Sequence, residues 1–338
     1  MSRSLIIPEG YTSKLTLRET QHAIKYIKDT FQQALSFALT LDRVSAPLIV
    51  RSGSGINDDL NGVERKVDFS ILELDDAEGG EVVQSLAKWK RMALFRYGYK
   101  AGEGIYTDMN AIRRDDSMDN IHSIFVDQWD WEKVITREQR TEDYLKETVC
   151  SIVKAIAYTE RKVGLRYPQL ANDICDTPFF ITSQELYDMF PGMTDKEREK
   201  EITRLHHTVF IMKIGGDLAN GKPHDGRAPD YDDWNLNGDL LIWNSVLENS
   251  LEISSMGIRV DSESLKKQLE KRGATDRMKY DYHRMIADGT LPLTIGGGIG
   301  QSRLCMLLLE KAHIGEVQSS IWSSETVKTC SEHGITLL

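Results

Sequence analysis

Ile295-Gly-Gly-Gly-Ile-Gly-Gln-Ser-Arg303 is the stretch on which the reading of this 338-residue chain turns. Its glycines let the backbone approach a ligand closely, and Arg303 then projects from the first turn of a helix, which suits a phosphate or an adenine ring. It is not a Walker A loop, because no Gly-Lys-Ser/Thr follows, and no acidic residue about twenty positions later supports a dinucleotide fingerprint. A glycine cluster can also serve plain strand-to-helix packing. The arginine directly after this one favours a ligand.

Before that glycine-rich turn the pattern predicts helices over 262–272 and 275–287, and strands over 208–214, 240–246 and 251–260. Short β-like runs at 66–74, 81–85, 105–113 and 121–131, punctuated by Gly and Asp, read as an antiparallel sheet. Thr16 and Glu19 have capping-box spacing, and Ile24, Ile27, Phe31, Leu35 and Ala38 then recur every three or four positions, so a long amphipathic helix starts near Thr16. A short strand over 46–50 contains Pro47 and therefore belongs at a sheet edge or a subunit contact. Leu145, Val149, Ile152, Val153 and Ile156 mark a helix over 141–166, and a polar helical stretch covers 183–206. Together, about 141–206 reads as a helical insertion packed outside the sheet. Helices before, between and after runs of adjacent strands give an α+β class and one catalytic domain over 1–338.

With 40% hydrophobic and 28% charged residues the composition is that of an ordinary globular protein. A net charge of -10 repels a polyanion, and the densest basic stretches, 88–91 and 266–272, are interrupted by apolar or acidic residues, so no nucleic-acid partner is expected. Cys150, Cys175, Cys305 and Cys330 are too widely spaced for a disulfide framework or a structural zinc site. No apolar run approaches the roughly 20 residues needed to span a bilayer, and the N-terminus lacks a signal pattern, so no membrane association and a cytoplasmic location are expected. Ser2 rather than Cys at position 2 removes the N-terminal nucleophile used by glutamine-hydrolysing amidotransferases.

Four further constellations carry chemistry. In His122-Ser-Ile-Phe-Val-Asp-Gln-Trp-Asp-Trp-Glu132, preceded by Ile112-Arg-Arg-Asp115, strand periodicity puts Val126, Gln128 and Asp130 on one face, where an amide and a carboxylate can orient an amino acid. A surface strand with cross-strand pairs is the plain alternative. Phe125, Trp129 and Trp131 beside the polar groups favour a pocket wall. In Gly226-Arg-Ala-Pro-Asp-Tyr-Asp-Asp-Trp234, continuing to Asp239, acidic residues crowd around Arg227; they are either solvated turns, above all Asp230 and Asp233, or a site for an ammonium group, ribose hydroxyls or Mg²⁺. Leu251-Glu-Ile-Ser-Ser-Met-Gly-Ile-Arg-Val260 reads as a strand with Glu252, Ser254, Met256 and Ile258 on one face and Ser255, Gly257 and Arg259 on the other. Its Glu252 could meet a nucleotide-bound Mg²⁺ and Arg259 a substrate carboxylate, or both could make structural ion pairs. In Gln84-Ser-Leu-Ala-Lys-Trp-Lys-Arg91, Lys88 and Arg91 share a helical face and Lys90 points elsewhere; such cations hold an anion or are merely solvated.

An arginine on a strand followed by an acidic residue, a later strand with Glu, and a closing Gly-rich segment ending in Arg resemble the motifs of class II aminoacyl-tRNA synthetases. The stretches at 85–91, 122–132, 227–234, 252–260 and 294–303 resemble more closely the ammonia-dependent asparagine synthetase family, over about 13–338. The resemblance implies an antiparallel sheet flanked by helices, a homodimer formed through the first helix and the Pro47 strand, and a two-step reaction. Aspartate would attack the α-phosphorus of Mg·ATP to give β-aspartyl-AMP and pyrophosphate, and ammonia would displace AMP.

The same resemblance assigns roles. Arg113, Gln128 and Arg303 would be catalytic, and Ser85, Lys90, Asp130, Asp232, Ser254 and Arg259 would bind the amino acid. Ser123, Asp239, Gly298 and Arg303 would bind the nucleotide, and Glu252 the Mg²⁺. Ser54 departs from the pattern, standing where some members carry an aspartate implicated in catalysis, with Asp58 and Asp59 as nearby carboxylates. Two other readings are a class II paralogue activating an amino acid for another acceptor and a non-catalytic aspartate or asparagine sensor. A synthetase should add an anticodon-binding domain, and a sensor should lose the motif arginines.

Overall fold

The Thr16 hydroxyl accepts from the Glu19 N–H while the Glu19 carboxylate accepts from the Thr16 N–H, so the capping box starts helix α1 (Leu17–Leu39) where its spacing places it. The computed structural model describes residues 5–58, 60, 64–74, 79–171 and 174–338. Ala23, Ile27, Phe31, Leu35 and Leu39 form the buried stripe of α1. The chain continues through β1 (Leu41–Arg43), β2 (Ile49–Arg51), β3 (Asp68–Ser70), β4 (Gly79–Val82), α2 (Ala87–Tyr97), β5 (Gly104–Ile112), β6 (Phe125–Val134) and α3 (Glu142–Arg166). Then follow β7 (Phe179–Thr182), α4 (Ser183–Met189), α5 (Asp195–His206), β8 (Thr208–Met212), β9 (Asp232–Asn244), β10 (Asn249–Arg259), α6 (Ser262–Lys271), α7 (Asp281–Ala287), β11 (Thr294–Gly300), α8 (Gln301–Leu308) and α9 (Ser324–Glu332).

Eight strands lie side by side in the order β1-β5-β6-β11-β10-β9-β8-β7, and β2, β4 and β3 make a small second sheet. Pairing is antiparallel throughout the middle of the large sheet; only the two outer pairs, β1 with β5 and β7 with β8, are parallel. The glycine-rich segment is thus not a turn but the central strand β11, between β6 and β10, with Gly300 as the N-cap of α8.

Strand alternation gives the large sheet two chemically different faces. On one, Trp129, Trp131, Met256, Ile258, Ile295 and Ile299 join the stripe of α1 and the apolar side of α3 in the main core. The Phe31 and Trp129 rings stand 4.7 Å apart, and burying a side chain of this size contributes roughly 1.5–3 kcal/mol. Trp129 and Trp131 therefore do not line a pocket, because they alternate with Gln128, Asp130 and Glu132, which point the other way. The opposite face is covered at one end by α2, which lies over β6 and β11, and at the other by α5, which lies against β8, β9 and β10. Between them a polar trough remains, floored by β11, β10 and β9.

Local boundaries moved from the expected ones. The strand expected at 46–50 is β2, which begins after Pro47 and does lie at the edge of its sheet. The run at 66–74 forms only the three residues of β3. The stretch 141–206 is not wholly outside the sheet: α3 packs into the main core, and β7 extends the sheet beside β8.

Candidate active site

Glu132, on β6, shares the trough face with Gln128 and Asp130 by strand alternation. Two strands away on β10, Arg259 donates from Nη2 and Nε to Glu132 at 2.7 and 3.1 Å and from Nη1 to Asp232 of β9. All three are buried. Thr294 Oγ1 donates at 2.7 Å to Glu132 Oε1, which also accepts from Arg259 Nε. Burial opposes charge on Glu132, but Arg259 outweighs it and holds the carboxyl below its usual range, while Glu132 and Asp232 keep Arg259 firmly charged against its own burial.

The glycines of β11 make these contacts possible. A Cβ at Gly296 would overlap Glu132 Oε2 and lie 2.7 Å from Arg259 Nη2. One at Gly298 would overlap Gln128 Oε1 and lie 2.6 Å from Asp130 Oδ1. Both residues have ordinary strand backbone, so it is the missing side chain that matters here.

Helix α2 brings three buried cations to the trough rather than to solvent. Lys90 Nζ lies 3.2 Å from Asp130 and donates to the Gly297 carbonyl at 3.0 Å; burial pushes its pKa down, against the pull of Asp130. Lys88 pairs at 3.0 Å with Asp230, which also meets Arg277 at 2.6 Å and His283 at 2.9 Å. Burial would raise Asp230, but Lys88, His283 and Arg277 hold it below the carboxylate range. Arg91 donates to the carbonyls of Pro292 and Val260. Lys88 and Arg91 are tied to the protein itself, Lys88 through Asp230 and Arg91 through those two carbonyls. Nor are Asp230 and Asp233 solvated: both are buried, and Arg140 pairs with Asp233.

A bulge between Glu252 and Ser254 overturns the expected alternation of β10. Ser254 now stands opposite Ile299 on the core face, buried, with no partner for its Oγ among the described residues, and so does not line the trough. Ser255 takes its place opposite Gly298. Its Oγ reaches Asp239 at 2.6 Å and Glu252 at 3.3 Å, and Arg227 donates to both Asp239 and Ser255. Burial raises Asp239, Arg227 opposes it, and the neighbouring Glu252 adds to it, with the group pushed up to about 7. Glu252, also penalised by burial, is pulled down to about 2 by Arg303, Lys196 and Arg227. One carboxylate of this pair is charged at the other's expense.

Arg303 projects from the first turn of α8 to the Glu252 carbonyl at 2.9 Å and lies 3.6 Å from its carboxylate. The hydrogen bonds of the Arg113 side chain among the described residues are long, 3.4 Å, to the Gln84 carbonyl. Ser123 pairs with Ser320 at 2.7 Å, and the Ser85 hydroxyl accepts from the Ala87 N–H at the start of α2. Ser54 only accepts from the Ile56 N–H, whereas Asp58 is buried beside Lys88 and Arg113 with one carboxylate oxygen unpartnered among the described residues, and burial raises its pKa. Asp59 lies outside the described residues. Among the described residues no group of three or more His, Cys, Asp or Glu side chains is gathered as a metal site. A cavity of about 460 Å³ lined by Thr182, Trp234, Lys267 and Lys271 contains none of the expected site residues.

Sequence reading therefore found Lys90, Gln128, Asp130, Asp232, Asp239, Glu252, Arg259 and Arg303 on or beside one trough. It gave Glu132, Arg227 and Ser255 no role, although the first follows from period two. Helix α5, which read as part of an outlying insertion, packs against β9 and β10 instead.

Residues 18–334 match the family model described as aspartate-ammonia ligase. A protein of Clostridium tetani named aspartate–ammonia ligase is 57% identical over 337 residues, covering 100% of this chain and 98% of its own. Its namesake from Lactobacillus acidophilus is 56% identical, covering 99% of each chain. Among solved structures, asparaginyl-tRNA synthetases with asparaginyl-adenylate from Entamoeba histolytica (TM-score 0.63, 14% identity) and Pyrococcus horikoshii (0.63, 17%) each cover 89% of this chain, and 66% and 68% of their own. At those identities the likeness is one of fold: a mostly antiparallel sheet with flanking helices, as in class II aminoacyl-tRNA synthetases. The chain belongs to the aspartate–ammonia ligase family.

Proposed function

We propose that this protein makes asparagine from aspartate, ammonia and Mg·ATP. In the first step the aspartate side-chain carboxylate attacks the α-phosphorus, forming β-aspartyl-AMP and releasing pyrophosphate. In the second, ammonia attacks the activated carbonyl and AMP leaves. The observation that supports this reading is a buried trough, in a chain of this family, where carboxylates and cations alternate beside two arginines with unequal commitments.

An amino acid is a zwitterion, and the trough offers both signs. Asp130 and Asp232 would receive the α-ammonium, Arg259 and Lys90 the α-carboxylate, and Gln128 would orient the reacting side chain, with Ser85 at the trough's rim. Gly298 would leave room for the nucleotide and Ser123 would contact it. Arg113 and Arg303 would stabilise charge building on the α-phosphate, an effect that removal of a single donor typically shows as a roughly 10²–10³-fold loss of kcat. Glu252 and Asp239, bridged by Ser255, suit a Mg²⁺ that takes one or two protein carboxylates plus substrate phosphates. Bound there, the ion neutralises phosphate charge as the bond to the leaving group breaks. Asp58, whose raised pKa favours holding a proton, would take one from the incoming ammonium. The whole chain would act as one catalytic domain.

Phe37, 91% exposed near the end of α1, with exposed Leu48 and Ile49 at β2, supports a homodimer through this region. No described helix is long and apolar enough to cross a membrane, and the acidic chain supports a cytoplasmic enzyme without nucleic-acid partners.

Incubation with Mg·ATP, aspartate and ammonium chloride is expected to yield AMP and asparagine in equal amounts, and glutamine in place of ammonium to yield none. ADP as product, or equal use of glutamine, would overturn the reading. Pyrophosphate exchange into ATP without asparagine would instead point to activation for another acceptor. Arg303→Ala should lower the AMP-forming rate by about 10²–10³.

For Asp58→Asn, aspartate-dependent pyrophosphate exchange is expected to persist while asparagine formation falls; equal loss of both steps would remove Asp58 from the ammonia step. With its pKa pushed up to about 7, Asp239 should gain its negative charge as pH rises through neutrality. The apparent KM for Mg·ATP should therefore fall as pH rises from about 6 to about 8, and Asp239→Asn should flatten that limb. Sedimentation equilibrium should give twice the 38.4 kDa chain mass. A monomer at working concentration contradicts the homodimer.

A further inference from the structure

We infer that Lys196, on the first turn of α5, binds the β,γ-phosphate end of ATP and the pyrophosphate that leaves; the inference rests on the AMP-forming reading above. Helix α5 is a fixed platform. Thr194 and Glu197 form its capping box, and buried Arg198, paired with Asp195 one turn earlier at 2.6 Å, ties it to the Phe190 carbonyl at 3.3 Å and lies 4.6 Å from the Tyr187 ring. Ile202 anchors the other side among Val209, Ile211 and Leu241. The helix thus stands on the trough face of the sheet, against β9 and β10, at the end that carries Asp239 and Glu252.

The charges there leave a task unfilled. Arg227 is committed to Asp239 and Ser255, and Arg303 lies along Glu252, where the proposed reaction puts the α-phosphate. A bound ion between Glu252 and Asp239 would offset part of the triphosphate charge, but the departing pyrophosphate gains negative charge as its bond breaks, so it needs a cation farther out. Lys196 supplies one. Its side chain is 65% exposed, and its ammonium lies 2.9 and 3.0 Å from the Glu199 oxygens and 3.9 Å from Asp225.

Glu199 is itself buried and shared, since His224 Nε2 sits 3.1 Å from it. It therefore orients the lysine without filling its three donor positions. Asp225, near the Lys196 ammonium, is two residues from Arg227, which pairs with Asp239, so the lysine stands at the same end of the trough as that carboxylate. A plain surface ion pair between residues three apart on a helix is the competing account.

Lys196→Ala and Lys196→Arg in the full-length chain separate the two accounts, with initial rates measured against ATP, against aspartate, and with pyrophosphate added as product inhibitor. Loss of one charged contact should raise both the KM for ATP and the inhibition constant for pyrophosphate about tenfold in Lys196→Ala. The KM for aspartate and the melting temperature should stay put, and Lys196→Arg should restore most of the loss. Unchanged ATP and pyrophosphate constants would reduce Lys196 to a surface ion pair. A parallel rise in both KM values without rescue by arginine would make it structural, and either result overturns the inference. The wild type is assayed first: failure to form AMP there condemns the ligase reading itself, a result distinct from any behaviour of the variants.

Discussion

The ion cluster of Arg259 with Glu132 and Asp232 is the constraint around which the rest of the trough is arranged. Its members come from β10, β6 and β9, and β6 and β10 are not neighbours, because β11 lies between them. The guanidinium reaches its partner only by passing over a strand, and it can do so only where that strand has no side chain, at Gly296. Sheet order, the glycines and the charges are therefore one requirement seen three ways. Truncating one member of such a buried cluster leaves an uncompensated charge and typically costs about 3–5 kcal/mol, so the cluster is built into the fold as well as the site.

The same logic extends outward in shells of alternating sign. Lys90 answers Asp130, Lys88 and Arg277 answer Asp230, Arg140 answers Asp233, and Arg227 answers Asp239. Most of these pairs are buried, where interactions between charges are stronger and less screened by salt. A zwitterion entering such a trough meets dipoles and charges already held in place, so little reorganisation remains when charge develops on the reacting atoms. The Asp239–Glu252 pair differs: two carboxylates meet at one hydroxyl, Ser255, and one is charged at the other's expense.

Much of this was legible in the residues, and the failures have physical causes. The capping box of α1 and the period-two order of β6 depend only on local geometry, and both appear as written. Trp129 and Trp131 misled because an aromatic beside a polar group looks the same on either face until the sheet's covering helices are known. The reading of β10 failed at a bulge, which shifts alternation by one residue and leaves no mark in the pattern Glu252-Ile-Ser-Ser255. Asp230 and Asp233 looked like solvated turn residues because their partners lie far away in the chain, at Lys88, Arg140, Arg277 and His283. Lys196 read as part of an outlying polar helix, since only the folded chain sets α5 against β9 and β10.

The bare floor of β11 carries a consequence for how this site tells ligands apart. Its peptide groups are engaged in ladders with β6 on one side and β10 on the other, and the Gly297 carbonyl also accepts from Lys90, so the strand offers chiefly contour. In the proposed binding mode, selectivity resides in the walls: how far Gln128, Asp130 and Arg259 extend over the glycines. Changing the accepted amino acid is a matter of altering reach from those flanking strands, whereas any side chain grown from the floor itself would first dismantle the charges that define the pocket.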